Sequence, residues 1–180
     1  VTLWEYDVMP VTIREEQPGL VIQQWVDRRL YTRAPYDAVA ADPDTQPDDY
    51  LLETFNDPSI GTPFVTVSAA SLLSAVNGIS VTGGGDCPEL AQSGLLAAIS
   101  AARGGSRLYF FSDASSKDAS LVGNVIAAAN AKEVTINYIL NGSCSPIAPA
   151  YIRGAQETGG QLFFVSAFEI SRLFGLVRPT

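Results

Sequence analysis

The 180-residue sequence contains no histidine and only two lysines, Lys117 and Lys132, and its formal net charge is −8. Without histidine the chain lacks the usual general base and the commonest transition-metal ligand. Without a basic stripe it has little with which to neutralise the phosphates of a nucleic acid. A Gly-x-Ser-x-Gly nucleophile elbow is also missing. These absences argue against acyl-transfer catalysis and nucleic-acid binding. The acidic balance suits a cationic partner or a metal ion better, but many solvated acidic surfaces bind nothing.

Long apolar runs are missing as well, because no segment approaches the roughly 20 residues that span a bilayer. The first ten residues do not combine a basic start with an apolar stretch, so no signal peptide is expected in this chain. The protein is then either cytosolic or a mature form from which a leader has been removed. Hydrophobic residues still make up 47% of the chain, which is enough for one domain with a real core.

From Asp48 onward, strand-like and helix-like patterns alternate. Strands are predicted over 48–56, 63–68, 107–113, 133–140 and 161–166, and helices over 69–79, 88–102, 117–131, 148–160 and 167–177. This alternation predicts an α/β fold with three layers, in which a doubly wound, mostly parallel sheet carries helices on both faces. Ligands of such folds bind beyond the carboxyl ends of the strands. We therefore expect the loops after Phe111 and Leu140 and the loop 83–87 to share one edge.

The first part of the chain is less regular. Residues 20–27, LVIQQWVD, fit a strand, whereas residues 42–49 form a polar connector that contains two prolines. We therefore divide the chain into an atypical N-terminal segment, 1–47, and an α/β domain, 48–180.

The sequence GGGDCPEL, residues 83–90, looks at first like a phosphate-binding loop. Such a loop needs Lys and Ser or Thr, however, and here Asp86 and Cys87 follow the glycines. Pro88 fits the first turn of the helix 88–102, and Glu89 suits the positive end of a helix. Asp86 suits the N-cap of that helix, a position that Asp fills well. Asp113 stands at the end of the predicted strand 107–113, where it fits a turn aspartate.

Four stretches together resemble the von Willebrand factor A (VWA) domain, and more narrowly its hemicentin-like branch, over about residues 48–177. They are FNDPSIGTP (55–63), GGGDCPEL (83–90), FFSDASSKD (110–118) and YILNGSCS (138–145). The resemblance implies a Rossmann-like fold that often holds Mg²⁺ or another divalent cation at a metal-ion-dependent adhesion site (MIDAS). Hard cations of this kind prefer oxygen ligands, and an open coordination position can accept a carboxylate from a partner.

Carried onto this sequence, the resemblance makes Asp113, Asp86 and Ser115 the candidate metal ligands. The Asp-x-Ser-x-Ser motif that completes the site in the family does not occur. Asp27 is the nearest substitute by chain order, but Arg28 and Arg29 follow it and would repel a cation. Either the site has lost its metal, or the N-terminal part is not the usual first strand and helix. In both cases we expect a degenerate site that binds a divalent cation weakly.

The resemblance also implies a disulfide between Cys87 and Cys144, because relatives carry cysteines at both places. A disulfide would place the protein in an oxidising compartment, and so extracellular or secreted. The function implied is a non-enzymatic adhesion or recognition module for a protein partner, of which a second copy of the chain is one option, with no nucleic acid and no membrane span. The alternative is a metal-free assembly domain whose N-terminal segment pairs with another chain. A hydrolytic enzyme ranks last.

Overall fold

A computed structural model describes residues 20–24, 47–80, 88–141 and 148–165. Its strands are β1 (Leu20–Gln24), β2 (Tyr50–Thr54), β3 (Phe64–Thr66), β4 (Arg107–Ser112), β5 (Thr135–Leu140) and β6 (Leu162–Phe164). Its helices are α1 (Ala69–Asn77), α2 (Ala91–Ala101), α3 (Val122–Ala131) and α4 (Pro149–Glu157). None of these helices is long and apolar enough to cross a membrane. The helix expected over 167–177 lies outside the described residues.

The six strands form one sheet in the order β3-β2-β1-β4-β5-β6. Neighbouring strands are parallel except at one edge, where β3 runs antiparallel to β2. Strand β1 lies in the middle and pairs in parallel with both β2 and β4. The predicted mostly parallel α/β sheet is therefore confirmed, and the strand expected within 20–27 is its central strand. The division of the chain at residues 47 and 48 stays a prediction.

The period-2 alternation of β2 separates the two faces of the sheet. Leu51 and Phe55 belong to the large core, which also contains buried residues of α2, α3 and α4. Tyr50 and Leu52 face the other side, where they pack with buried Leu72 and Val76 of α1. Helices thus cover both faces, as the alternation of the sequence predicts. All residues of β4 after its first are buried, as expected for a strand covered on both sides.

Helix α2 begins at Ala91, so the prediction that Pro88 occupies its first turn was wrong. Glu89, two residues before α2, instead forms a parallel bridge with Ser116 in the loop after β4. Glu89 lies directly before the N-cap residue Leu90, next to the positive end of the helix but outside it. Leu90 is the N-cap residue and makes no side-chain cap hydrogen bond, so Asp86 does not occupy that position.

The other end of α2 is capped by a side chain from a distant part of the chain. Lys132 follows α3, and its Nζ donates to the carbonyl oxygens of Ile99, Ser100 and Ala102 at 2.9, 2.7 and 3.0 Å. The positive charge of Lys132 also interacts favourably with the negative, C-terminal end of the helix dipole. Gly105 adopts a φ of 76°, which glycine tolerates best, and its N–H donates to the carbonyl of Lys132 at 2.7 Å.

Candidate functional site at the carboxyl edge of the sheet

Asp113 directly follows β4, so it lies at the carboxyl edge of the sheet, beside the end of the central strand β1. Its side chain is half-buried, and so is that of Ser115 two residues later. The structure therefore places two of the three predicted metal ligands on one short loop, 113–118. The third, Asp86, lies outside the described residues, as do Asp27 and the predicted disulfide partners Cys87 and Cys144.

The start of this loop is fixed by hydrogen bonds around Ala114. Its N–H donates to Ser112 Oγ at 3.0 Å, and its carbonyl accepts from Ser112 Oγ at 3.1 Å. The same carbonyl accepts from the buried Tyr151 hydroxyl of α4 at 3.1 Å. Burial raises the pKa of Tyr151 well above its ordinary value, so this hydroxyl remains a proton donor. Asp113 therefore lies between Ser112 and Ala114, whose positions these hydrogen bonds fix.

The second half of the loop is tied to the segment before α2. The N–H of Glu89 donates to the carbonyl of Ser115 at 2.9 Å, and the N–H of Lys117 donates to the carbonyl of Glu89 at 2.7 Å. This pair of backbone hydrogen bonds joins the FFSDASSKD motif to the last residues of GGGDCPEL. Two motifs that lie about twenty residues apart in the sequence therefore form one structural unit.

Asp118 caps α2 in place of a residue of the helix itself. Its carboxylate accepts from the backbone N–H groups of Gln92 and Ser93 at 2.9 and 2.7 Å, and from Ser93 Oγ at 2.6 Å. Ser116 Oγ donates to the same carboxylate at 3.0 Å and accepts from the buried Gln92 Nε2 at 3.3 Å. A carboxylate here satisfies N–H groups that a helix start otherwise leaves without partners, and it complements the helix dipole.

The FNDPSIG motif forms a turn that reaches the same edge. Asp57 makes an ion pair with Lys117, so the turn is bound to the loop that carries Asp113. Phe55 anchors the base of the turn by stacking on Phe110 of β4, with ring centroids 5.1 Å apart. Gly61 closes the turn by donating its N–H to the carbonyl of Thr54 at 2.6 Å. A Cβ at Gly61 would clash with the Thr54 side chain, which explains why glycine is needed there.

A buried carboxyl group lies beneath this turn. Glu53 of β2 is 0% exposed, and neither of its carboxyl oxygens has a hydrogen-bond partner in the part of the chain that the structure describes. Burial raises the pKa of Glu53 from 4.5 to about 7, because a charge in an apolar environment loses its hydration. Glu53 and Phe110 pair with the same residue of β1, Gln23, so they lie at the same level of the sheet. Phe110 comes three residues before Asp113, and we therefore do not include Glu53 among the candidate ligands.

The described residues supply only part of a cation site. Asp113 offers a carboxylate and Ser115 a hydroxyl, both of which are suitable ligands for Mg²⁺. Across the described ranges, however, no group of three or more Asp, Glu, Cys or His residues is arranged to hold a metal ion. These oxygens fit a divalent cation in kind, but they fall well short of an octahedral set in number.

Sequence reasoning missed three residues that organise this edge: Asp118, Gln92 and Glu53. Nothing near Asp118 in the sequence reveals that it caps a helix that begins 27 residues earlier. Gln92 was hidden for a related reason, since its partner Ser116 comes from another loop. Glu53 could have been found, because the alternation of β2 puts it on the same face as the buried Leu51 and Phe55.

Comparison of the sequence with known proteins identifies relatives that contain von Willebrand factor A domains. The von Willebrand factor A domain model matches residues 36–167. Mouse hemicentin-2 is 30% identical over 128 residues, which are 69% of this chain and 2% of hemicentin-2. Human von Willebrand factor A domain-containing protein 7 is 31% identical over 102 residues, which are 57% of this chain and 11% of that protein. The chain therefore spans only a small part of the curated relatives that it matches.

Solved structures agree on the fold. Proximal thread matrix protein 1 from the mussel byssus superposes with a TM-score of 0.64 at 13% identity, over 89% of this chain and 47% of that one. A second structure of that mussel protein, with zinc in its MIDAS motif, superposes with a TM-score of 0.56 at 12% identity. Sequence and fold together show that this chain belongs to the von Willebrand factor A domain family.

Proposed function

We propose that this domain is a non-enzymatic protein-binding module whose partner docks on the carboxyl edge of the sheet, around Asp113. The observation that carries this proposal is the fixed loop 113–118. Hydrogen bonds at Ala114 and Ser115 hold its backbone, while the side chain of Asp113 remains partly accessible. A rigid loop that presents one carboxylate loses little conformational entropy when a partner binds. The hemicentin relatives support the assignment to a recognition domain.

We further propose that Asp113, Ser115 and Asp86 form a degenerate adhesion site for a divalent cation. The chain has no Asp-x-Ser-x-Ser motif, so most of the six positions around Mg²⁺ would be filled by water. A cation that keeps most of its water gains little by leaving the solvent, and we expect a dissociation constant of about 1 mM or weaker. When bound, the cation would supply an open coordination position for a carboxylate of the partner protein.

An extracellular location completes the proposal. The mussel protein with the same fold is a thread matrix protein of the byssus, and the hemicentin-like cysteines Cys87 and Cys144 suit an oxidising compartment. Catalysis has little support, because the chain has no histidine to act as a general base.

Titration calorimetry with Mg²⁺, Ca²⁺ and Mn²⁺ at low ionic strength tests the cation site. We expect weak, millimolar binding that Asp113→Ala abolishes. Asp48→Ala is the matched control, because Asp48 lies at the opposite end of the sheet, exposed beside Arg103. A micromolar site would mean that a further ligand completes the set. Binding that survives in Asp113→Ala would refute the assignment of Asp113 as a ligand.

A metal-free assembly domain is the second candidate, and one observation favours it. Strand β3 is an edge strand whose neighbourhood exposes apolar side chains, with Phe64 40%, Val65 49% and Val67 77% exposed. Exposed apolar edge strands can pair with another chain. Strand β1 is not suited to this role, because β2 and β4 occupy both of its sides. Sedimentation of the wild type and of Val65→Lys tests the idea. A dimer that the substitution dissociates would favour assembly through β3.

A further inference from the structure

The carboxyl group of Glu53 occupies a core position where an apolar side chain is expected. It alternates along β2 with Leu51 and Phe55, both of which belong to the large core, and it is itself fully buried. Neither of its oxygens has a hydrogen-bond partner in the described part of the chain. A neutral carboxyl tolerates this environment at modest cost, whereas a carboxylate would be strongly destabilised.

The cover over Glu53 is the turn 55–61. A Cβ placed on Gly61 would lie 3.5 Å from Glu53 Oε1, so the backbone of the turn closes over the carboxyl group. The turn folds back on itself through a bridge between Phe55 and Ile60 and through the Gly61 hydrogen bond to Thr54. This cover is seven residues long, whereas the sheet beneath it is continuous on both sides of β2.

Among the residues that the structure describes, no charged group stabilises the ionised form of Glu53. On the sheet, its register neighbour on β1 is Gln23, and Phe110 of β4 is level with it. On the turn, Asp57 is already paired with Lys117. The first turn of α2 is uncharged, and its nearest ionisable neighbours in sequence are Glu89 before the helix and Arg103 after it. Burial alone raises the pKa of Glu53, and none of these groups contributes to the shift.

We propose that Glu53 is a proton-controlled latch for the turn 55–61, which stays closed while the carboxyl is neutral and opens when it ionises. Lifting this short turn brings water to the carboxylate and leaves the paired strands of the sheet in place. Opening would also break the Asp57–Lys117 ion pair and so release one tether of the loop that carries Asp113. The latch concerns the turn itself and does not depend on the proposed partner or cation.

The direction of the pH effect follows from the two states of the turn. Glu53 has a raised pKa of about 7 when the turn is closed, and its ordinary value of 4.5 once water reaches it. Between these values the open turn binds fewer protons than the closed one, so a rise in pH favours opening. The opening constant should rise about tenfold for each pH unit in this interval, by about 300-fold in all, and then level off above pH 7.

Amide hydrogen exchange of the intact chain, resolved by residue and corrected for intrinsic rates, tests the latch. The probes are the N–H groups of Gly61 and Asn56, which bond within the turn, and the reference is the N–H of Tyr138, which donates to Gln161 between β5 and β6. We expect the protection of the turn amides to fall by about 300-fold between pH 4.5 and 7, with little dependence on low urea. In Glu53→Gln, or in Glu53→Met should that variant not fold, protection should not depend on pH.

Three results would overturn the latch. The protection of Gly61 in the wild type could be flat over this pH interval, which would mean that ionisation does not open the turn. The decline could persist in the Glu53 variants, which would assign it to another group. The turn amides could also exchange only together with Tyr138, through a urea-sensitive opening, and this would mean that Glu53 ionises only on global unfolding.

Discussion

The two aspartates of the FFSDASSKD motif should behave in opposite ways when they are replaced by alanine. Asp118 accepts four hydrogen bonds, two from backbone N–H groups at the start of α2 and two from the hydroxyls of Ser93 and Ser116. Asp113, only five residues earlier, lies half-buried at the end of β4. We therefore expect Asp118→Ala to destabilise the fold and Asp113→Ala to leave it almost unchanged.

The magnitude for Asp118→Ala follows from the groups that lose their acceptor. Loss of an ordinary N-cap costs about 1 kcal/mol. A donor left unsatisfied in a partly buried place costs about 1–3 kcal/mol more, and the two hydroxyls can rotate to recover some of this loss. The sum is about 2–4 kcal/mol. Asp118→Asn keeps one carboxamide oxygen as an acceptor, so it should cost about half as much.

Urea unfolding followed by circular dichroism measures both substitutions under identical conditions. Asp113→Ala is the matched control, with an expected change within about 1 kcal/mol. If Asp118→Ala costs less than 1 kcal/mol, the cap formed by this distant carboxylate does not stabilise α2. If Asp113→Ala costs more than 3 kcal/mol, Asp113 belongs to a buried network that the fold needs.

Three further predictions concern Glu53, Lys132 and the cysteines. The unfolding free energy of the wild type relative to Glu53→Gln should fall by about 3 kcal/mol as the pH rises from 4.5 to 7, because the native state with a closed turn keeps the proton that the unfolded state releases; an equal pH dependence of both proteins in urea titrations would contradict this. Lys132→Met removes three hydrogen bonds to carbonyls at the end of α2, so it should lower the free energy of unfolding by about 1–2 kcal/mol, as measured by thermal unfolding. An unchanged thermal midpoint would show that these hydrogen bonds contribute nothing. Thiol titration of the denatured, unreduced protein should detect no free thiol, and two reactive thiols per chain would exclude the bond between Cys87 and Cys144.

The strands of the fold could be predicted because their apolar patterns are local. The sequence RLYFFSD shows a near-continuous apolar run, and Arg107–Ser112 is a strand with neighbours on both sides. The start of α2 could not be predicted in the same way. Pro88 and Glu89 carry the composition of a first helical turn, but backbone hydrogen bonds to Ser115 and Lys117 hold this segment in an extended conformation. Tertiary contacts therefore overrode the local preference.

The position of the candidate site could be predicted from the sequence, but most of the contacts that build the site could not. Asp113 and Ser115 lie on the edge that the alternating pattern and the family motifs indicate. The contacts that build this edge, such as Asp57 with Lys117, join residues about sixty positions apart. A single sequence carries no record of such pairs, because neither partner has an unusual local setting. Asp86 lies outside the described residues, so its role as a ligand stays a prediction.

The contacts that hold the carboxyl edge of the sheet in place do not involve a metal, and this leads to a prediction about metal removal. The Asp118 cap, the Glu89 bridge and the Asp57–Lys117 ion pair all join protein groups directly. A cation bound with a dissociation constant of about 1 mM adds only about 0.4 kcal/mol of stability at 1 mM, because stabilisation by a ligand equals RT ln(1 + [L]/Kd). Addition of EDTA in excess over the cation should therefore shift the thermal midpoint by about 1 °C or less, with Asp113→Ala unaffected. A fall of more than 5 °C in the wild type would mean that a cation holds this edge together, and that direct contacts between protein groups are not sufficient to build it.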